Sequence, residues 1–188
     1  GNKHYFRICF LDPFQGSVMA KYAWDQGIRT AYTLAELGNA YDLGLASSFK
    51  TAFEKLGGTV ESGNFPTNQA DFTSYITNAK NSGAQAIFAP TSISYAQLIV
   101  EAAATQKVGI PLYAGDTWDS NVILQAAKDK DVTINITTFY QEGGNQEFDD
   151  GFKKWLNADS SKLTNNGGND IVAAVSAMGY DAYFTALE

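Results

Sequence analysis

Histidine and cysteine occur once each in the 188 residues, and each scarcity removes a class of chemistry. Cys9 has no partner for an internal disulfide, and its place in the apolar run YFRICF makes it core filler. His4, ahead of that run, builds neither a Ser-His-Asp triad nor a histidine-based metal site on its own. Basic residues are outnumbered, 13 against 20 acidic, and form no cluster, so a net charge of -7 repels a polyanion such as nucleic acid. No stretch reaches the ~18 to 20 apolar residues of a membrane span, and no signal-peptide pattern is present. The chain opens at Gly1 and closes in the helical pattern of YFTALE, and is read as a segment of a longer protein.

The usual nucleotide and catalytic signatures are missing as well. LDPFQGS, after the first apolar run, holds neither G-x-G-x-x-G nor a Walker motif. An aspartyl-phosphate site wants a second acid beside Asp12, yet Pro13 and Phe14 follow it, and there is no serine nucleophile elbow. The sequence therefore predicts no catalytic residue, no metal ligand set and no cofactor.

What is present is a rhythm. Strand patterns at 4–11, 28–35, 59–65, 84–90, 110–115 and 132–140 alternate with helix patterns at 15–27, 40–58, 68–83, 94–109, 119–130 and 145–158. In the second helix Leu43, Ala46, Phe49, Phe53 and Leu56 recur near helical spacing, and Gly57 and Gly58 stop it. Strands recurring between helices predict βαβ units: a doubly wound α/β fold whose mainly parallel sheet carries helices on both faces. The Ser, Asn and Gly-rich stretch 157–170 reads as a linker or flexible turn, and 169–188 as a final helix. Its apolar residues Ile171, Val172, Val175, Met178, Tyr180, Tyr183, Phe184 and Leu187 span too wide an arc for one contact face.

An open parallel sheet binds ligands outside the carboxyl ends of its strands, where helix N-termini and loop amides converge. That rule selects Asp12, Phe14 and Gln15; Glu36, Asn39, Tyr41 and Asp42; Phe65 and Thr67; Thr91, Ser92 and Ser94; and Asp116, Thr117 and Trp118. Aromatic surface, hydroxyls and carboxylates suit a small solute with a cationic group and an apolar part. Several of these residues keep a plainer reading. Asp116 and Asp119 either face the edge or cap the following helix. Trp118 either walls the edge or packs down on a neighbouring loop. Tyr41, after the N-cap candidate Asn39, points into the lobe or across the strand ends, and Asp42 complements the helix dipole.

Three segments carry a family resemblance over nearly the whole chain. RICFLDPFQGS, NAYDLGLASSFKTAFEKLGGTV and YAGDTWDSN resemble segments of the branched-chain amino acid type of solute-binding protein, the two-lobed type I periplasmic binding proteins of ABC importers. The resemblance implies that Asp116 meets the α-ammonium group of an amino acid and that Tyr41 meets the ligand from the same lobe. Trp118, Thr91, Phe14 and Ser92 would complete the ligand-binding set. It also implies a permease partner, an extracytoplasmic location, residues 1–168 as one ligand-binding lobe, and 169–188 as a helix of the other. Asp42 and Thr117 depart from the family pattern, where glycine is frequent. Thr91 and Ser92 stand where some members present an aromatic, which implies a more polar cleft and leaves the ligand open between a branched-chain amino acid and a more polar one. An extracytoplasmic sensory or interaction domain of the same architecture is the alternative reading.

Overall fold

The computed structural model describes residues 7–187. It divides into two compact units, one of residues 11–137 and one that combines 138–187 with the described residues 7–10.

The unit 11–137 contains α1 (Asp12–Asp25), β1 (Thr30–Glu36), α2 (Ala40–Lys55), β2 (Thr59–Phe65), α3 (Thr73–Asn81), β3 (Ala86–Phe88), α4 (Ile93–Thr105), β4 (Leu112–Ala114), a 3-10 turn (Asp116–Trp118), α5 (Asn121–Ala127) and β5 (Ile134–Ile136). The five strands form one sheet in the order β2-β1-β3-β4-β5, and every described pairing is parallel. Right-handed crossovers explain the layers. The chain leaves β1 toward one edge through α2, then reverses across β1 and continues toward the other edge through α3, α4 and α5. The reversal puts α2 on one face and the other three on the opposite face.

Side chains follow the period of two that a strand requires. Ala31 of β1, Ala86 and Phe88 of β3 and Tyr113 of β4 join Met19, Ala20 and Ala23 of α1 and Leu45, Phe49 and Phe53 of α2 in one buried cluster. Tyr32 and Leu34, Ile87, and Leu112 and Ala114 point the other way, into a cluster with Ile76 of α3, Ile99 and Val100 of α4 and Ile123 of α5. On the first face Phe49 stacks on Phe88 with ring centroids 4.5 Å apart and on Phe53 at 5.4 Å. Helices α1 and α2 pack closely because Gly16 lies between them. A Cβ there would come within 2.8 Å of both Ser48 Cβ and Phe49 N.

The second unit contains α6 (Gln146–Asn157), α7 (Ser160–Asn165) and α8 (Ala174–Leu187). Asp149, buried in α6, accepts hydrogen bonds from Tyr140 Oη at 2.7 Å and Gly143 N at 2.6 Å, which fixes the turn before the helix. Helix α8 buries only Ala174 among its described residues. Val175, Tyr180, Tyr183, Phe184 and Leu187 are all exposed, in keeping with an apolar arc too wide for a single contact face.

Two sequence expectations are revised. The first strand, expected at 4–11, lies partly outside the described residues, and 7–11 form no strand; α1 begins instead at Asp12, with Pro13 in its first turn, where a missing N–H costs nothing. The stretch 157–170, read as a linker, contains α7, because the Asp159 side chain accepts from Ser161 N at 2.8 Å and caps it. The two compact units divide between residues 137 and 138, so α6 and α7 group with α8.

Candidate functional site

The strand order places a topological switch point between β1 and β3, whose following segments diverge in opposite directions. Tyr41 sits in the first turn of α2, beyond the end of β1, and Thr91 just beyond β3. Asp116 opens the 3-10 turn beyond β4. Residues separated by 75 positions thus meet: Tyr41 Oη donates to Asp116 Oδ1 at 2.6 Å.

Local signals deliver each group. Asn39 caps α2, its side-chain oxygen accepting from Tyr41 N at 3.1 Å and Asp42 N at 3.3 Å, which sets the first turn and the direction of the tyrosine. Asp116 is not needed as a helix cap, because Ser120 caps α5 by accepting from Val122 N at 3.2 Å. Its carboxylate instead takes Gln15 Nε2 at 2.7 Å in addition to Tyr41, both on Oδ1. Gly115 makes this convergence possible: a Cβ there would lie 2.6 Å from Tyr41 Oη and 2.9 Å from Leu45 Cδ2. Burial, then the hydrogen bond to Asp116, hold the Tyr41 hydroxyl well above its ordinary pKa, so it stays a donor across the physiological range.

Thr91 and Trp118 are brought to the same place but do not face solvent. Trp118 is 1% exposed, its ring lies in the core, and its Nε1 donates to Thr91 O at 3.1 Å. Thr117 Oγ1 donates to the same carbonyl at 2.8 Å. Thr91 is fully buried, and its hydroxyl oxygen has no partner among the described residues. The sequence leaves Trp118 open between walling the edge and packing down on a neighbouring loop, and sets Thr91 in a more polar cleft. The structure makes them the buried underpinning of the turn that carries Asp116, because a large ring gains more from the core than from an open edge. Phe14, on the first turn of α1, is 60% exposed, and half-buried Ser92 pairs its hydroxyl with Ser94 at 3.0 Å.

Two residues at this edge received less weight in the sequence reading than their environment merits. The sequence places Gln15 there without a role and makes Asp42 a helix-dipole partner. Asp42 is in fact 1% exposed, with Oδ2 accepting from Glu36 N at 3.2 Å. Burial pushes its carboxyl up to about 6; the Glu36 backbone N–H opposes the rise and the Glu36 carboxylate adds to it. Glu36 itself is held below the usual range, chiefly by Asn39, and its Oε1 accepts from Tyr95 Oη at 3.0 Å.

Elsewhere, a groove of about 710 Å³ in the second unit is bordered by Phe148, Phe152, Trp155, Tyr180 and Tyr183. It is an aromatic surface under the exposed face of α8, and none of the strand-end candidates lines it. No group of three or more His, Cys, Asp or Glu side chains among the described residues could hold a metal ion. Nor is any described helix long and apolar enough to cross a membrane.

A doubly wound parallel lobe with a carboxylate and a phenol converging beyond its strand ends has the type I periplasmic binding architecture. The profile of the periplasmic binding protein family matches residues 1–188, and the chain belongs to that family. It is similar to the leucine-binding protein LivK of Thermotoga maritima, with 26% identity over 98% of this chain and 51% of that one and a TM-score of 0.84. It also resembles a solute-binding protein of an R. palustris ABC transporter solved with benzoate, with 22% identity over 94% of this chain and 47% of that one and a TM-score of 0.77. A third similar structure is LivJ of Streptococcus pneumoniae with isoleucine: 20% identity, 92% and 48% coverage, and a TM-score of 0.73. The chain spans about half the length of these solved relatives. The curated proteins include no match to it.

Proposed function

We propose that the unit 11–137 is a solute-binding lobe of an ABC importer's binding protein, acting outside the cytoplasm with a permease partner, and that Asp116 receives the ammonium group of an amino acid. The observation that carries this reading is the state of the Asp116 carboxylate. Tyr41 and Gln15 both donate to Oδ1, and no described group donates to Oδ2. A carboxylate held by one oxygen presents the other in a fixed direction, which suits one charge-assisted hydrogen bond to a cation. Membership of the periplasmic binding protein family supports a solute-binding lobe, and the likeness to the leucine-binding protein LivK favours the amino-acid class. The burial of Thr91 withdraws a hydroxyl from the edge, and exposed Phe14 offers apolar contact, which favours an apolar solute side chain over a polar one.

The test is an NMR titration of the 188-residue chain with L-leucine, methylammonium and acetate. The two amine-bearing probes shift the Asp116 carboxyl carbon and the Tyr41 ring signals, acetate does not, and Asp116→Asn abolishes the response. Equal shifts from acetate, or a response that survives Asp116→Asn, would refute the assignment.

A further inference from the structure

We infer that Gln15 is the positioning residue of this site: its one side-chain amide group holds Asp116 and Thr137 in a single hydrogen-bonded unit, so that a solute engaged at Asp116 is registered at the residue where the chain leaves the lobe. The inference rests on the reading of Asp116 as the amine-binding acid.

Gln15 Nε2 lies 2.7 Å from Asp116 Oδ1 and 2.8 Å from Thr137 Oγ1. The side chain is 3% exposed, so water does not compete for these bonds. A carboxylate accepts only, so the amide must turn its nitrogen toward Asp116, and its two hydrogens then serve the two oxygens. The far partner is defined by its place in the chain. Thr137 is the last residue of the unit 11–137, and its backbone N–H donates to Ala114 O at 3.2 Å, tying the end of β5 to the end of β4. Leu11, the first residue of the same unit, lies one helical turn before Gln15. One side-chain amide therefore connects the candidate binding acid to the last residue of the lobe, from a helix that starts beside its first.

The scaffold behind Gln15 is stiff. Its neighbour Gly16 sits where a Cβ would meet α2 at 2.8 Å, so α1 and α2 are locked at close range. Tyr41 belongs to α2 and Gln15 to α1, so the locked pair delivers both donors to the same Asp116 oxygen. Orienting the carboxylate before the solute arrives removes an ordering cost from binding.

The experiment uses the ¹⁵N-labelled 188-residue chain, titrated with methylammonium and L-leucine up to about 0.1 M, the range a surface-like ion pair demands. In the unsubstituted chain the Gln15 side-chain amide, Asp116 and the Thr137 backbone amide shift along one common saturation curve. Gln15→Met keeps the bulk and removes both donors. Affinity at Asp116 then falls about tenfold, as for a lost hydrogen bond to a charged group, and the Thr137 response disappears. Thr137→Val leaves the bond from Gln15 to Asp116 in place, so affinity stays within about threefold while the response of the Ile136 and residue-137 amides is lost. Unchanged affinity and an intact Thr137 response in Gln15→Met would overturn the positioning role while leaving the Asp116 reading standing. If Gln15→Met does not fold, Thr137→Val decides: an unaltered response at Ile136 overturns the coupling. Absence of any amine-dependent shift in the unsubstituted chain removes the Asp116 reading and the coupling together.

Discussion

Asp42→Asn converts the buried carboxylate behind the site into a measurable pH dependence. The Asp42 carboxyl, 1% exposed, is raised to about 6, whereas an unfolded-chain aspartate titrates near 3.9. Between those values the native protein binds a proton that the unfolded chain has released, so stability falls as pH rises through this window. Well below pH 4 both states are protonated and the penalty is absent; well above pH 6 it is fully expressed. A gap of about two units corresponds to about 3 kcal/mol. Asparagine keeps an oxygen for the Glu36 N–H and has no charge to desolvate. The difference in unfolding free energy, Asp42→Asn minus unsubstituted, should therefore grow by about 2 kcal/mol between pH 4 and pH 7.

Urea unfolding at a series of pH values measures this difference, followed through Trp24 and Trp118, which lie in the same unit as Asp42. With a slope of about 1–3 kcal/mol per molar, the relative midpoint moves by about 1–2 M. Taking the difference between the two proteins cancels groups with the opposite sign that do not interact with Asp42, such as Asp71, whose lowered pKa stabilises at higher pH and loses its effect on acidification. A difference that stays flat from pH 4 to 7 would refute the argument. It would mean that the α2 N-terminus and the Glu36 N–H compensate the buried charge in full.

Gly115→Ala should destabilise by about 1–3 kcal/mol and separate Tyr41 from Asp116, seen as loss of the downfield hydroxyl proton of Tyr41, because the new methyl group occupies the space of the Tyr41 oxygen. Phe49→Ala should cost about 3–5 kcal/mol in chemical denaturation, since the ring is fully buried and stacks on both Phe53 and Phe88. The 188-residue chain should bind L-leucine too weakly for calorimetry, because an open-edge ion pair contributes about 0–1 kcal/mol against the roughly 8 kcal/mol of a micromolar complex. Micromolar heats from this chain would show that the lobe 11–137 needs no opposing surface.

The sheet was legible in the sequence because its strands are short apolar runs separated by amphipathic helices with clear stops. Thr59–Phe65 was delimited to the residue, and α2 ended close to the glycines that marked it. The failures share a cause. In the ranges 7–11 and 132–140 apolar, β-branched composition suggested longer strands than the backbone forms, since composition reports burial and aromatic packing as readily as strand pairing. Phe10 and Phe139 bear this out: their rings pack 4.5 Å apart, and neither residue lies in a strand. At 157–170 the Ser, Asn and Gly content suggests a linker or flexible turn, although short polar residues also cap helices, as Asp159 does for α7.

The site divides along a different line. Strand-end position alone gathers Tyr41, Thr91, Asp116 and Trp118, because topology fixes where chain segments emerge. It does not fix which way a side chain turns, and that is decided by what each group can satisfy locally. Trp118 turns inward because Thr91 O accepts its N–H while the core receives its ring. Asp116 is held by Oδ1 alone, because the donors that reach it, Gln15 of α1 and Tyr41 of α2, both fall on that oxygen. No spacing rule announces Gln15, since its partners lie 101 and 122 residues away. A buried polar residue flanked by a glycine that admits a second helix is nonetheless a recognisable pattern. The glycine signals that two helices approach closely, and the amide beside it must then find partners at their shared end.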